Sequence, residues 1–187
     1  MMKKLFSIIS VVLTFLTAFQ AKAEGNNMSN KKALVAYFSA TGITAGVADR
    51  LAKSIGAELF EIKPEQIYTD ADLDWHNKQS RSSVEMNDRT SRPAITSKVE
   101  NMAQYDVVFV GFPIWWYREP SIIDTFMESY DFSGKTVVPF ATSGSSGIGP
   151  SGENMQALAP KATVLEGKRF ARDVSAEDLK KWAAEWL

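Results

Sequence analysis

Three nearly unbroken apolar runs punctuate the chain: Ala33-Leu-Val-Ala-Tyr-Phe38, Asp106-Val-Val-Phe-Val-Gly-Phe112 and Thr136-Val-Val-Pro-Phe-Ala141. Runs without polar alternation mark strands covered on both faces, as in a parallel sheet. Between them the period changes. Ile43, Val47, Leu51 and Ile55 fall on one helical stripe, and Gly56 closes it. A second helix is predicted over 121–130, with Ile122, Ile123, Phe126 and Met127 apolar. Charge interrupts the apolar residues over 57–62, which suits an edge strand. Shorter patterns predict a helix over 96–103, a helix over 154–158, a strand over 163–165 and a final helix over 175–187. Ser175 and Asp178 form a capping box for the last helix, whose inward stripe is Leu179, Trp182, Ala183 and Trp186. Residues 63–95 are polar, irregular and long for a connection.

Five strands alternating with helices predict an α/β fold, a doubly wound five-stranded parallel sheet with helices on both faces. Pro139 is at odds with its place in a buried strand, because it has no N–H for the ladder. It lies near the strand's carboxyl end, where a bulge is the expected accommodation. No internal repeat, low-complexity tract or linker divides the chain.

The N-terminus follows another pattern. Lys3 and Lys4 precede an apolar stretch over 5–19, and Ala21-Lys-Ala23 has small residues at the spacing of a cleavage site. This predicts a signal peptide over 1–23, cut after Ala23, then a polar, disordered lead-in over 24–30. The apolar stretch falls short of the ~20 residues that span a bilayer, so no stable membrane insertion is expected after cleavage. The expected location is the periplasm or the outside of the cell. The 187 residues less the first 23 leave 164, enough for one domain with an ample core.

Composition narrows the chemistry. There is no cysteine, which excludes thiol catalysis, thiolate metal sites and disulfides. Of 21 basic residues, removal of Lys3, Lys4 and Lys22 leaves 18 against 22 acidic ones, a net charge of −4. That balance argues against a nucleic-acid partner. The single histidine, His76, has no second histidine to pair with at a metal and reads as a surface residue.

In open parallel sheets ligands bind outside the carboxyl ends of the strands. Three loops leave the buried strands there. Ser39-Ala-Thr-Gly-Ile-Thr44 joins a strand to a helix start, where backbone N–H groups and the helix dipole favour a phosphate. It has no lysine or arginine and lacks the glycine spacing of dinucleotide binders, so it suits one terminal phosphate monoester. A plain helix cap is the other use of such a loop. The second loop, Pro113-Ile-Trp-Trp-Tyr117, carries three consecutive aromatics. Two adjacent tryptophans cannot both point the same way, so one is expected to face outward or to cover a ligand. The third, Thr142-Ser-Gly-Ser-Ser-Gly-Ile-Gly149, is rich in backbone donors. Together they fit a planar heteroaromatic ring with a phosphate tail.

With the motifs Phe38-Ser-Ala-Thr-Gly-Ile-Thr44, Gly111-Phe-Pro-Ile-Trp-Trp116 and Thr142-Ser-Gly-Ser-Ser-Gly147 in view, the chain resembles the flavodoxin family over 31–187. The branch it is most similar to is that of bacterial flavodoxin-like proteins with a Gly-x-Pro-Ile-Trp-Trp loop. The resemblance implies strand order 2-1-3-4-5 and non-covalent flavin mononucleotide (FMN). By motif, Ser39, Thr41, Gly42, Ile43 and Thr44 would hold the phosphate. Pro113, Ile114, Trp115 and Trp116 would pack on the isoalloxazine ring. Thr142, Ser143, Gly144, Ser145 and Gly147 would meet its pyrimidine edge. The resemblance implies electron transfer, with a redox partner protein or a quinone as partner.

Flavodoxins are strongly acidic, a field that disfavours the anionic reduced flavin, and at −4 this chain provides less of it. Two other readings remain: an FMN-dependent reductase of quinones or other small acceptors, and a flavodoxin fold acting as a binding module without redox chemistry. The colour of the purified protein separates the last from the others, and consumption of reduced nicotinamide with a quinone present identifies a reductase. The 63–95 segment, with Tyr68, Trp75, Arg81, Arg89 and Arg92, is a lid over the flavin, a docking surface or a solvated excursion.

Overall fold

The computed structural model describes residues 31–187. The expected signal peptide over 1–23 and the lead-in over 24–30 lie outside the described residues. Strands β1 (Ala33–Tyr37), β2 (Glu58–Glu61), β3 (Val107–Pro113), β4 (Thr136–Thr142) and β5 (Thr163–Val164) form one sheet in the order β2-β1-β3-β4-β5. Every pairing is parallel. Helices α1 (Ile43–Ile55), α3 (Ser121–Glu128), α4 (Ser151–Leu158) and α5 (Ala176–Ala183) follow the strands. This is the expected doubly wound architecture and strand order.

Strand alternation divides the core into two layers. Val35, Phe109, Val138 and Phe140 face α1 and α5, where Val47, Leu51, Leu179 and Trp182 are buried. Leu34, Ala36, Val108, Val110 and Val137 face the other way, onto Ile122, Ile123 and Phe126 of α3 and Met155 of α4. The capping box forms as read: Ser175 Oγ accepts the Asp178 N–H at 3.0 Å. The last helix ends at Ala183, short of the predicted 187, and Trp186 packs beside Trp182 with ring centroids 5.0 Å apart.

Pro139 does not produce a bulge in its own strand. β4 runs unbroken against β3, with Pro139 opposite Val110. The irregularity lies in the neighbouring strand instead. The Val137 carbonyl accepts the Leu165 N–H at 3.0 Å, so Pro139, two residues on, turns its donorless nitrogen to that same edge. There the fifth strand breaks, and it resumes as a sixth strand, β6 (Lys168–Phe170), paired with Phe140–Thr142 of β4.

The predicted helix over 96–103 does not form. Thr96 N–H bonds the Lys63 carbonyl at 2.9 Å and Val99 N–H bonds the Tyr130 hydroxyl at 2.8 Å, so these donors serve tertiary partners. Only a 3₁₀ turn at Met102–Gln104 remains. The 63–95 segment, in contrast, is ordered and contains a helix that the sequence pattern did not show, α2 (Arg81–Asn87). Ser80 caps it by accepting the Ser83 N–H. An antiparallel bridge between Pro64 and Ile95 closes the base of the segment.

Candidate functional site

The β1–α1 loop delivers an open helix start. Gly42 is the N-cap in the left-handed region, φ +83°, which favours glycine. No side chain caps α1 and no acidic residue occupies its first turn, so its leading N–H groups and positive dipole end stay unclaimed. Ser39 Oγ is buried and has no hydrogen-bond partner. Thr41, Gly42 and Ile43 are exposed, whereas Thr44 is 1 % exposed and its hydroxyl lies 2.8 Å from that of Thr142. That bond ties the first loop to the third.

The β3–α3 loop is a tight hairpin turn. Trp115 N–H donates to the Arg118 carbonyl at 2.9 Å and Arg118 N–H returns the bond to Trp115 at 3.1 Å. The central residues Trp116 and Tyr117 have φ of 45° and 67°. Such turns normally take Asn-Gly, so two bulky aromatics here store backbone strain. The two tryptophans diverge, as expected. Trp115 meets Phe38 and Tyr68 edge-on, with ring centroids 5.6 Å and 5.2 Å away. Trp116 and Tyr117 turn outward and are exposed. Gly111 of the second motif has a packing role: a Cβ there would sit 2.2 Å from Phe140 Cζ on the adjacent strand.

A buried polar cluster supports this turn. Arg118 reaches Glu119 at 3.3 Å and Asp124 at 3.4 Å, and donates to Ser121 Oγ at 3.2 Å. Asn154 donates to both Glu119 carboxylate oxygens, at 3.0 and 3.1 Å, and Ser151 Oγ accepts the Glu119 N–H at 3.0 Å. Asp124 Oδ1 is buried without a partner. Burial, reinforced by the Glu119 carboxylate, pushes the Asp124 carboxyl up to about 7 despite Arg118 and Arg92 nearby.

In the third loop the Ser143 hydroxyl bonds the Ser146 carbonyl, and Arg169 of β6 donates to the Ser143 carbonyl at 3.3 Å. Gly144, Ser145 and Gly147 are exposed.

A cavity of about 530 Å³ opens at this edge of the sheet. Thr41, Pro113, Ile114, Trp115 and Trp116 of the predicted site line it, with Ala40, Tyr117 and Ser146. Thr142, Ser143, Gly144, Ser145 and Gly147 are not on its lining, although Ser146 from the same loop is. Ser39 lines a neighbouring cavity of about 460 Å³, and Ala40 lines both. Leu73, Trp75 and Ser82 also line the larger one. They come from the 63–95 segment, in which the sequence singled out Trp75 but gave no sign of Leu73 or Ser82. The lining carries one ionisable side chain, Tyr117.

The model of the family described as Flavodoxin matches residues 32–186. The chain belongs to the flavodoxin family. Among solved structures, a protein of Bacteroides eggerthii inferred to be a flavoprotein is 52% identical, with a TM-score of 0.79 over 84% of this chain and 98% of that one. A Bacteroides uniformis protein of the same description is 51% identical, TM-score 0.77, over 81% and 97%. A Lactobacillus acidophilus flavoprotein in complex with FMN shares the fold at 23% identity and TM-score 0.62, over 82% and 99%. No curated protein matches. In this flavodoxin-family chain the loops after β1, β3 and β4 stand at the carboxyl edge of the sheet, as the motifs required. Only the second contributes most of its motif residues to the cavity; the first contributes Ala40 and Thr41, with Gly42, Ile43 and Thr44 off the lining, and the third contributes Ser146.

Proposed function

We propose that the protein is an exported flavodoxin-like redox protein that binds FMN and passes electrons through it. The observation that carries the reading is the uncapped α1 N-terminus, with the buried, unpartnered Ser39 hydroxyl at its approach, next to an aromatic-lined cavity. These residues fit a flavin with a terminal phosphate. Ser39, Thr41, Gly42, Ile43 and Thr44 would hold the phosphate through backbone N–H groups and hydroxyls. Pro113, Ile114, Trp115 and Trp116 would pack on the ring, and residues 142–147 would donate to its polar edge. The family membership and the FMN found in the Lactobacillus acidophilus protein support the same cofactor here.

Bound FMN supplies the one- and two-electron chemistry. The chain's own contribution is binding, stacking and water exclusion, because the cavity lining has a single ionisable side chain and no acid–base pair. That favours a carrier over an enzyme that activates its substrate by proton transfer. Export follows from the signal pattern over 1–23. Outside the cytoplasm nicotinamide cofactors are scarce, so a redox partner protein or a membrane quinone is the electron source of this reading.

The test is a spectroelectrochemical titration of the protein purified from its native cell, with N-terminal sequencing of the same sample. A flavin spectrum that reduces and reoxidises reversibly, on a chain starting at Glu24, is the expected result. A colourless chain, or an intact Met1 in the cytosolic fraction, would overturn the redox or the export half respectively.

A further inference from the structure

Three exposed aromatic side chains stand out among the described residues: Trp75, Trp116 and Tyr117. All three line the one 530 Å³ cavity. Trp116 and Tyr117 belong to a flavodoxin motif loop or its continuation. Trp75 does not. It comes from the 63–95 segment and packs against His76, with ring centroids 3.5 Å apart and the planes inclined by 35°. Leu73 and Ser82 of the same segment complete this wall. Ser82 is 1 % exposed and its Oγ, like that of Ser39, is buried without a partner. An apolar wall carrying one unsatisfied hydroxyl is complementary to a flat ring with polar atoms on its rim.

The base of the segment and α2, which carries Ser82, are braced by contacts within the chain. Glu65 N–H bonds the Ala94 carbonyl at 2.8 Å, beside the Pro64–Ile95 bridge. Arg92 forks onto both Glu128 carboxylate oxygens, each at 2.8 Å, which fastens the segment to α3. Glu85 of α2 accepts from Arg81 at 2.7 Å and from the Tyr68 hydroxyl at 2.5 Å, while the Arg81 guanidinium sits 4.1 Å from the Tyr68 ring. Burial and the Glu85 hydrogen bond raise the Tyr68 pKa, so its hydroxyl stays a donor. The Glu85 carbonyl accepts from Ser121 Oγ at 3.1 Å. Tyr68 then meets Trp115 edge-on, so the segment and the ring-packing tryptophan are braced against each other.

We infer that the 63–95 segment is a fourth flavin-binding element, a standing wall in which Trp75 stacks against the isoalloxazine ring and Ser82 hydrogen-bonds its rim. This rests on the FMN reading of the site. The segment is neither a mobile lid nor a solvated excursion. Its ordering is completed on folding, so binding does not bear that cost again.

The experiment titrates flavin-free protein with FMN and with riboflavin, which has the ring but no phosphate, by calorimetry and flavin emission. Trp75→Ala weakens both ligands by the same factor, about tenfold, as for loss of one stacked ring, and restores part of the quenched emission. Trp75→Phe recovers most of the affinity. Ser82→Ala weakens both ligands by about fivefold, as for one neutral hydrogen bond. Thr41→Ala, at the phosphate loop, weakens FMN and leaves riboflavin unchanged. Thermal melting of each flavin-free variant checks that the fold is kept. Wild-type protein that binds FMN while Trp75→Ala and Ser82→Ala keep wild-type affinity and emission for both ligands would overturn the inference alone. Wild-type protein that binds neither ligand would remove the FMN reading itself.

Discussion

The hydroxyls of Thr44 and Thr142 share a buried 2.8 Å hydrogen bond that joins the first turn of α1 to the last residue of β4. It fixes the spacing between the loop that would hold the phosphate and the loop that would meet the ring. Thr44 is therefore structural as well as a candidate ligand, unlike Thr41, which is exposed on the cavity lining.

Thr44→Val or Thr142→Val leaves the other hydroxyl buried and unpaired, which costs about 1–3 kcal/mol of stability. The double variant is expected to cost less than the two single costs together, because both partners then go. Thr41→Ala is expected to change flavin-free stability by less than about 0.5 kcal/mol. It should still weaken FMN about tenfold, the loss of one bond to a charged group. Urea unfolding of the flavin-free variants, beside calorimetric FMN titration, separates the two classes. Equal stability losses at Thr41 and Thr44 would show that the buried bond has no special part.

Gly111→Ala places a methyl 2.2 Å from Phe140 Cζ, on the residue opposite it in β4. Overpacking of this kind costs about 1–3 kcal/mol. Combining it with Phe140→Leu, which withdraws the ring, should recover part of that loss in thermal melting. No recovery would mean that the glycine is required for a reason other than this contact.

Asp124 should make stability fall as pH rises. Its carboxyl is raised from 3.8 to about 7 by burial and by Glu119, so between those values the folded state holds a proton that the unfolded state has released. Arg118 and Arg92 oppose the shift from the other side. Glu128, lowered by Arg92, acts in the usual direction and loses its contribution as pH falls. The readout is therefore a difference. Relative to Asp124→Asn, the wild type should lose stability between about pH 4 and about pH 7 and level off above that. Parallel stability curves for the two proteins over that range would contradict it.

The buried strands were legible because each apolar run carries its own evidence of two-sided burial, whereas their order came from the family resemblance. The break between β5 and β6 was not legible, because Pro139 acts on its neighbour's ladder and leaves no mark in that neighbour's composition. The helix expected over 96–103 has the right composition, but Thr96 and Val99 are tied to Lys63 and Tyr130, which hold the segment on another path and which only the tertiary fold supplies. The reverse holds for α2. It is short and polar, its one sequence signal is Ser80 before an Arg81–Glu85 pair, and it forms because Ser82, Ser83 and Met86 are buried against the rest of the chain. For the site, Pro113, Ile114, Trp115 and Trp116 of the second motif and Thr41 of the first lie on the cavity lining. The third was placed at the correct edge, but its contribution to the cavity is Ser146, and Leu73, Trp75 and Ser82 reach it by long-range folding.

The central claim is that this site takes a flavin ending in a single phosphate, and calorimetric titration of the flavin-free protein with FMN and with flavin adenine dinucleotide tests it most directly. The account predicts one FMN per chain, bound at least about tenfold more tightly than the dinucleotide, because the uncapped α1 start offers neutral donors for a terminal phosphate and no cation for a second. No binding of FMN, or equal or tighter binding of the dinucleotide, would contradict it.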